Sequence, residues 1–440
     1  MKNSLNNVRV IGGGLAGVEA AFHLANQGIL VDLYEMRPGR QTPAHKTAHL
    51  AELVCSNSFK GVDPSTAHGL LKKEMQELNS IIMNVAYSSR VPAGKALAVD
   101  RNEFAQQITK TITSHPNIRV IREEVTELST NNPTVIATGP LTSDPLALTL
   151  SRISGGKHLF FYDAISPIID AISINMQKAF FGSRWEPAST DYLNCPLEKD
   201  LYYAFVDELL SARQVYPHEF EEARYFEGCL PVEVIADRGK ESLRFGAMRP
   251  IGLIDPATQK SPYAVLQLRK ENLKGEAFNM VGFQTRLTYP EQKRIFGMIP
   301  GLEKASFFRH GSIHRNTFID SPRLIEKDLS IRGHRNLVLA GQILGVEGYM
   351  ESAAMGIIAA FSILAMLKQK PFFPPGPDTA IGALISYITD AQIKKFQPMN
   401  INFGIMLAPP APKKEKRQRL LERERSSFQL WLNSLEQLRQ

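Results

Sequence analysis

From Val8 to Glu35 the hydrophobic positions change period twice. Val8, Val10 and Ile11 form the short apolar run that a strand buried on both faces requires. A glycine turn follows, and from Val18 to Asn26 the spacing becomes that of an alanine-rich helix, with Gly28 placed to end it. Ile29 to Leu33 returns to a strand that closes at Glu35, and NIRVI (117–121) and TVIATG (134–139) predict two more. Through LRFGAMRPIG, YAVLQLRKEN and AFNMVGFQTRL (243–287) the runs are short, turn-separated and partly alternating, which predicts an antiparallel sheet. NLVLAG (336–341) restores a buried strand. The apolar run AAMGIIAAFSILAML (353–367) falls short of the roughly 20 residues that span a bilayer and reads as a buried helix.

PFFPPGP (371–377) breaks the chain after that helix, and a basic, helical segment closes it. Between 413 and 425 seven Lys and Arg stand against three Glu, more than half of the formal net charge of +7. Such a run attracts phosphate whatever the sequence, so it is a candidate RNA contact. Leu421, Phe428, Trp431, Leu435 and Leu438 also mark an apolar stripe there, for which docking onto the body of the protein is the primary expectation.

At 440 residues, 43% hydrophobic and 22% charged, the composition is that of an ordinary soluble protein with two domains. Three cysteines without a CxxC exclude a disulfide framework and a cysteine-rich zinc site; no metal is expected. With no cationic-then-apolar leader at MKNSLNN, the expected location is the reducing cytoplasm, without a membrane partner.

Gly12-Gly13-Gly14-Leu15-Ala16-Gly17 satisfies GxGxxG between a strand and a helix. Gly12 makes the turn, Gly14 lets the backbone approach a pyrophosphate, and Gly17 lets helix and strand pack. The helix N-terminus supplies N–H groups for the phosphates, and Glu35 is placed to accept hydrogen bonds from an adenosine ribose. A purely structural glycine turn would need neither the acidic residue nor the helix at these positions. The later ATG (137–139) and AG (340–341) resemble motifs of two-dinucleotide flavoproteins, which favours FAD over NAD. In that group the last helix aims its N-terminus at the flavin; here Gly341 and Gly345-Val346-Glu347-Gly348 precede it, with Gln342 where many such proteins have an acidic residue. The fold class is therefore α/β: a two-dinucleotide-type FAD-binding Rossmann domain (1–182 and 318–370), an inserted α+β domain (183–317) and a helical C-terminal extension with a basic helix (371–440).

A thiolate is a good nucleophile only where positive charge or a helix N-terminus lowers its pKa. Cys55, in LVCSNS, has Lys46 and Lys60 near in sequence, and Cys229, in FEGCLP, lies in a loop; both are candidate reactive thiols. Cys195, in YLNCPLE, reads as a small core residue. His45, His314, Arg244 and Arg249 are polar-motif residues that could contact folate, RNA or nothing.

EMRPGRQTPAHKTAHLAELVCSNSFKG, FEGCLPVEVIADRG, SLRFGAMRPIGLIDP, NMVGFQTRLTYPEQKRIFGMIPGL, IHRNTFIDSP, LAGQILGVEGYMESAAMG and FQPMNINFG resemble, over nearly the whole chain, the folate- and FAD-dependent tRNA (uracil-5-)-methyltransferases. The resemblance implies methylenetetrahydrofolate as one-carbon donor, reduced FAD as its carrier, NAD(P)H as electron source and a T-loop uridine of tRNA as target. It also implies that Cys55 and Cys229 are catalytic, one adding to uracil C6 and the other acting as base or assisting thiol, in either order. The same chemistry on ribosomal RNA and a plain NAD(P)H–flavin oxidoreductase are the rival readings.

Overall fold

The computed structural model describes residues 7–42, 44–155, 158–186, 189–215, 230–412 and 414–439. Asn7–Ile11, Leu30–Tyr34, Ile118–Ile121, Thr134–Ile136 and His334–Leu339 form a parallel sheet, extended at one edge by the antiparallel Ser330–Ile331. Asn7–Ile11 lies between Thr134–Ile136 and Leu30–Tyr34, with Val8 and Val10 buried on one face and Ile11 on the other, as in a strand covered on both sides. The sheet is thus assembled from the two ends of the predicted nucleotide domain.

The helices Leu15–Ala25 and Tyr349–Leu367 pack directly on one another. A Cβ on Gly356 would sit 2.2 Å from the Ala16 carbonyl oxygen, so the contact requires a residue without one. Tyr349–Leu367 is 19 residues long and apolar enough by length and composition to cross a membrane, but 89% of its apolar window is buried inside the protein. An all-round apolar helix of this kind is a core helix.

A second, antiparallel sheet runs in the order Phe180–Gly182, Tyr192–Leu197, Ala264–Lys270, Ala277–Met280, Ile168–Asp170, Phe307–Arg309. Its own core extends from Ile169 to Ala305 and includes Tyr202, Phe205, Phe283 and Phe296. Ile168–Asp170 and Phe180–Gly182 therefore sit in this sheet although they precede residue 183, the boundary expected from the sequence. Of the segment predicted as antiparallel strands, 264–270 and 277–280 are strands, whereas Ser242–Phe245 is a short helix. Between the two cores the outgoing and returning chain pair with each other, His158–Ile165 against Ser312–Ile319.

The C-terminal helix Lys416–Arg439 docks on the first core through Leu420, Phe428, Trp431, Leu435 and Leu438; Leu420, not Leu421, completes the buried stripe. The Trp431 indole donates to the Phe373 carbonyl at 2.8 Å. Three of its basic residues are tied to this chain: Arg417 donates to the Ser65 carbonyl, Arg419 pairs with Glu415 and Arg423 with Asp378. On the same helix Glu424 is buried beside Glu74 of Ala67–Glu77, whose carboxylate accepts the backbone N–H groups of Ala380 and Ile381 at 2.5 and 2.8 Å.

Candidate active site

The glycine loop divides its labour by geometry. Gly12 has φ +103°, and a Cβ there would meet the Ala137 carbonyl oxygen at 2.5 Å. A Cβ on Gly17 would lie 1.8 Å from the Gly12 oxygen, so this glycine sets the closeness of helix to loop. Gly14 differs: nothing lies within 4 Å of a Cβ built on it, and it opens the Leu15–Ala25 helix without a side-chain cap. The space is the cradle a phosphate needs, with the first-turn N–H groups facing it.

Gly12, Gly13, Gly14, Leu15 and Ala16 line a cleft of about 1020 Å³ whose other walls include Glu35, Thr138, Gly341 and Tyr349. The Glu35 carboxylate accepts the Gly13 N–H at 3.0 Å and the backbone N–H and Nε of Arg37 at 3.0 and 2.9 Å. Burial works to raise its pKa, but hydrogen bonds and charge from Arg37 prevail and hold it below the usual carboxylate range. Arg37, itself buried, also pairs with Glu52 at 3.0 Å. His45 stands on the same wall, its Nδ1 2.6 Å from the Thr42 hydroxyl; burial and Arg37 push it down to about 4, so the ring is neutral at pH 7. The open cradle at Gly14 and the fixed carboxylate at Glu35 fit a dinucleotide.

Val54, Pro140, Leu141, Gln342 and Tyr349 are shared with a second chamber of about 990 Å³. Cys55, Lys60, His68, Lys72, Glu347, Gly348 and Glu351 are among the other residues that line it. Gly348, with φ +121°, turns the chain into the Tyr349–Leu367 helix, whose N-terminus therefore faces this chamber. Gln342, the departure from the flavoprotein pattern, donates to the Glu347 carboxylate at 2.7 Å. Gly345 and Val346 line neither chamber: Val346 is fully buried and bridges to Met399, and Gly345 lies against Phe396.

Cys55 is half-buried, and its loop is gripped from three sides. Its backbone N–H donates to the Tyr349 hydroxyl at 2.8 Å, and its carbonyl accepts from Arg309 at 3.1 Å. Arg101 donates to the Leu53 carbonyl and pairs with Glu271 at 3.0 Å, while Arg269 holds Ser56 and Asn57 at 2.9 and 3.0 Å. Burial, reinforced by Arg101, pushes the Arg309 guanidinium down to about 10, and the Cys55 sulfur pulls the other way. Guanidinium groups beside a thiol favour its thiolate. Lys72, fully buried, donates to the Gly61 and His68 carbonyls at 2.9 and 3.2 Å, and burial pushes it down to about 8.

Sequence reasoning missed Tyr349, Arg101, Arg269 and Arg309. Arg269 and Arg309 come from the second sheet, more than two hundred positions from the loop they hold, and nothing local marks them. Cys195 lies fully buried in the second core, its thiol pushed up to about 12 by burial, as an inert core residue should be. Cys229 and the side chain of His314 lie outside the described residues. Arg244 stacks over Tyr263 at 4.3 Å and donates to its carbonyl, a structural role.

The glucose inhibited division protein A family model matches residues 7–371. A protein of Desulfotalea psychrophila is 50% identical over 433 residues, covering 98% of both chains, and one of Moorella thermoacetica is 51% identical over 434 residues with the same coverage. A third, of Syntrophus aciditrophicus, is 50% identical over 429 residues, 97% of both. All three bear the name methylenetetrahydrofolate–tRNA-(uracil-5-)-methyltransferase TrmFO. Among solved structures, Aquifex aeolicus GidA superposes with a TM-score of 0.69 at 17% identity, over 96% of this chain and 73% of that one, a likeness of fold.

Proposed function

The chain belongs to the methylenetetrahydrofolate–tRNA-(uracil-5-)-methyltransferase family, and on that premise we propose that it methylates uracil C5 in tRNA with the two joined chambers as its active site. It is a flavoprotein methyltransferase that takes its one-carbon unit from methylenetetrahydrofolate. FAD, when bound, supplies the carrier of that unit and the hydride that completes the methyl group. The finer parts of the reading are a T-loop uridine as target, NAD(P)H as electron source, an inserted second domain and a cytoplasmic location.

The residues of this chain perform the remaining work. Gly14 and Leu15 would present N–H groups to the pyrophosphate, and Glu35, held in place by the Gly13 N–H, would accept from the ribose. The N-terminus of Tyr349–Leu367 directs its positive dipole end into the chamber beside Cys55. Uracil C5 is a poor nucleophile until a thiolate adds to C6 and places an enolate across C4–C5. C5 then bonds to the one-carbon unit, a base removes the C5 proton, and elimination returns the thiolate. We assign the thiolate and the assisting group to Cys55 and Cys229, in either order. The Arg309 and Arg101 guanidiniums stabilise negative charge at Cys55 in both assignments.

The observation that carries this reading is that Cys55 lines a chamber continuous with the dinucleotide cleft. The test supplies purified protein with NADPH and methylenetetrahydrofolate labelled in the methylene carbon, offering tRNA transcript and a ribosomal RNA fragment in parallel. Label in 5-methyluridine of the tRNA, mapped to the T loop, is expected. Label confined to the ribosomal fragment, or NADPH oxidation without label in either, would defeat it.

A further inference from the structure

Outside the two chambers, three rings stack beside the edge strand Phe307–Arg309 of the second sheet. His310 lies between Tyr289 and Phe307, with centroids 4.6 and 5.0 Å away and interplanar angles of 27° and 26°. Burial lowers the His310 pKa, so the ring stacks as a neutral imidazole at pH 7. Tyr289 is 58% exposed and the adjacent Phe308 57%. Large rings are ordinarily turned inward, and here they edge a groove that also holds Lys46, Arg309 and Ser312. Burial and the charges of Arg309 and Arg101 lower the Lys46 pKa, a crowding of cations that an anion would relieve. The buried Nε of Arg309 has no hydrogen-bond partner among the described residues. Ala44 and Ile165 line both this groove and the chamber of Cys55.

We propose that this groove is the platform on which an unpaired RNA nucleotide next to the target uridine stacks, the target itself passing Ala44 and Ile165 to reach Cys55. The inference rests on the RNA-methylating function above and deepens it. A uracil stacked inside a loop cannot offer C5 and C6 to groups buried in a protein, so it must be extruded, and its neighbours lose a stacking partner. An aromatic face restores that stacking without regard to sequence, and nearby cations hold the phosphate between the two nucleotides. Tyr289 offers the outer rung of the stack, and Lys46 and Arg309 stand at the phosphate position. The C-terminal helix is a poorer candidate for stacking, because its rings, Phe428 and Trp431, are buried against the first core.

The test compares wild-type FAD-loaded protein with Tyr289→Ala, Tyr289→Phe and Phe308→Ala. Dissociation constants for unmodified tRNA transcript and KM for methylenetetrahydrofolate are measured in the same preparations, with flavin content as the check on folding. Tyr289→Ala and Phe308→Ala are expected to weaken tRNA binding by roughly tenfold or more. Tyr289→Phe, which keeps the ring, should bind as the wild type does. Unchanged tRNA affinity in Tyr289→Ala overturns the platform. A raised KM for methylenetetrahydrofolate with intact tRNA affinity overturns it too and assigns the groove to folate. Wild-type protein that binds tRNA through these rings yet methylates none refutes the function while leaving the platform standing.

Discussion

The hydroxyl of Tyr349 accepts the backbone N–H of Cys55 at 2.8 Å and that of Ser56 at 3.3 Å. One side chain thereby fixes the thiol-bearing loop to the first residue of the helix that faces the dinucleotide end. Burial raises the Tyr349 pKa, so the phenol keeps its proton throughout the working pH range. Tyr349→Phe removes the acceptor and leaves two backbone donors unpaired at a cost of about 1–3 kcal/mol each. Methyl transfer should fall about tenfold or more with FAD content retained, measured by single-turnover label transfer. Wild-type rates would show that the loop is positioned without the hydroxyl.

The two described cysteines should part company on substitution. Cys55→Ala is expected to abolish label transfer to tRNA while leaving flavin occupancy unchanged. Cys195→Ala should leave label transfer alone and cost about 1–2 kcal/mol of stability, as the loss of a core sulfur does. Assaying both variants in parallel separates chemistry from packing; activity in Cys55→Ala would remove that thiol from the mechanism.

Gly14 and Gly17 should separate binding from folding. A Cβ at Gly14 meets nothing in the protein and occupies the space for a phosphate, whereas one at Gly17 collides with the Gly12 carbonyl. Gly14→Ala is therefore expected to yield folded protein that purifies largely free of flavin. Gly17→Ala should lose several kcal/mol of stability (on the order of 3 or more) or fail to fold. Circular dichroism and flavin absorbance read both; a flavin-loaded Gly14→Ala would place the pyrophosphate elsewhere.

The buried pair Glu74 and Glu424 predicts an alkaline weakness. Burial raises both pKa values above the ordinary carboxylate value; the charge of Glu424 and the hydrogen bond between the two carboxyls raise Glu74 further, whereas at Glu424 that hydrogen bond and Lys73 oppose the rise and Glu77 and Asp378 add to it. The folded protein thus holds protons that the unfolded chain has released. Stability is highest below the unfolded pKa and falls as pH rises through the folded values. Glu424→Gln removes one charge and should flatten that fall, raising the thermal midpoint in neutral and alkaline buffer by a few degrees, roughly 2–4 °C for each kcal/mol. Parallel pH dependences in the two proteins would refute the shared proton.

Much of the nucleotide cleft was legible because its logic is local. Strand, glycine turn, helix and Glu35 fall within thirty residues, and each leaves a periodicity or a residue type that only its role explains. The family read from the long motifs is the one the relatives share. The arginine grip on Cys55 was illegible for the opposite reason: arginines at 101, 269 and 309 meet one loop only after two sheets have formed. Ser242–Phe245 misled because a run of four residues is too short to reveal its period. The buried stripe of the last helix was displaced to Leu421 because adjacent leucines fit one face almost equally well at 3.6 residues per turn.

The parallel sheet has a consequence for synthesis on the ribosome. Thr134–Ile136 is made early, yet its outer neighbour, His334–Leu339, emerges only after roughly two hundred more residues, about 10–40 s of translation. Throughout that interval the strand presents unpaired peptide groups and apolar side chains to the crowded surroundings. The second sheet lies wholly within the waiting segment, so it can form first and shorten the gap the later strand must cross. A nascent chain stalled before His334 would carry an unfinished edge, the point at which holding chaperones should find it and at which truncated products should aggregate.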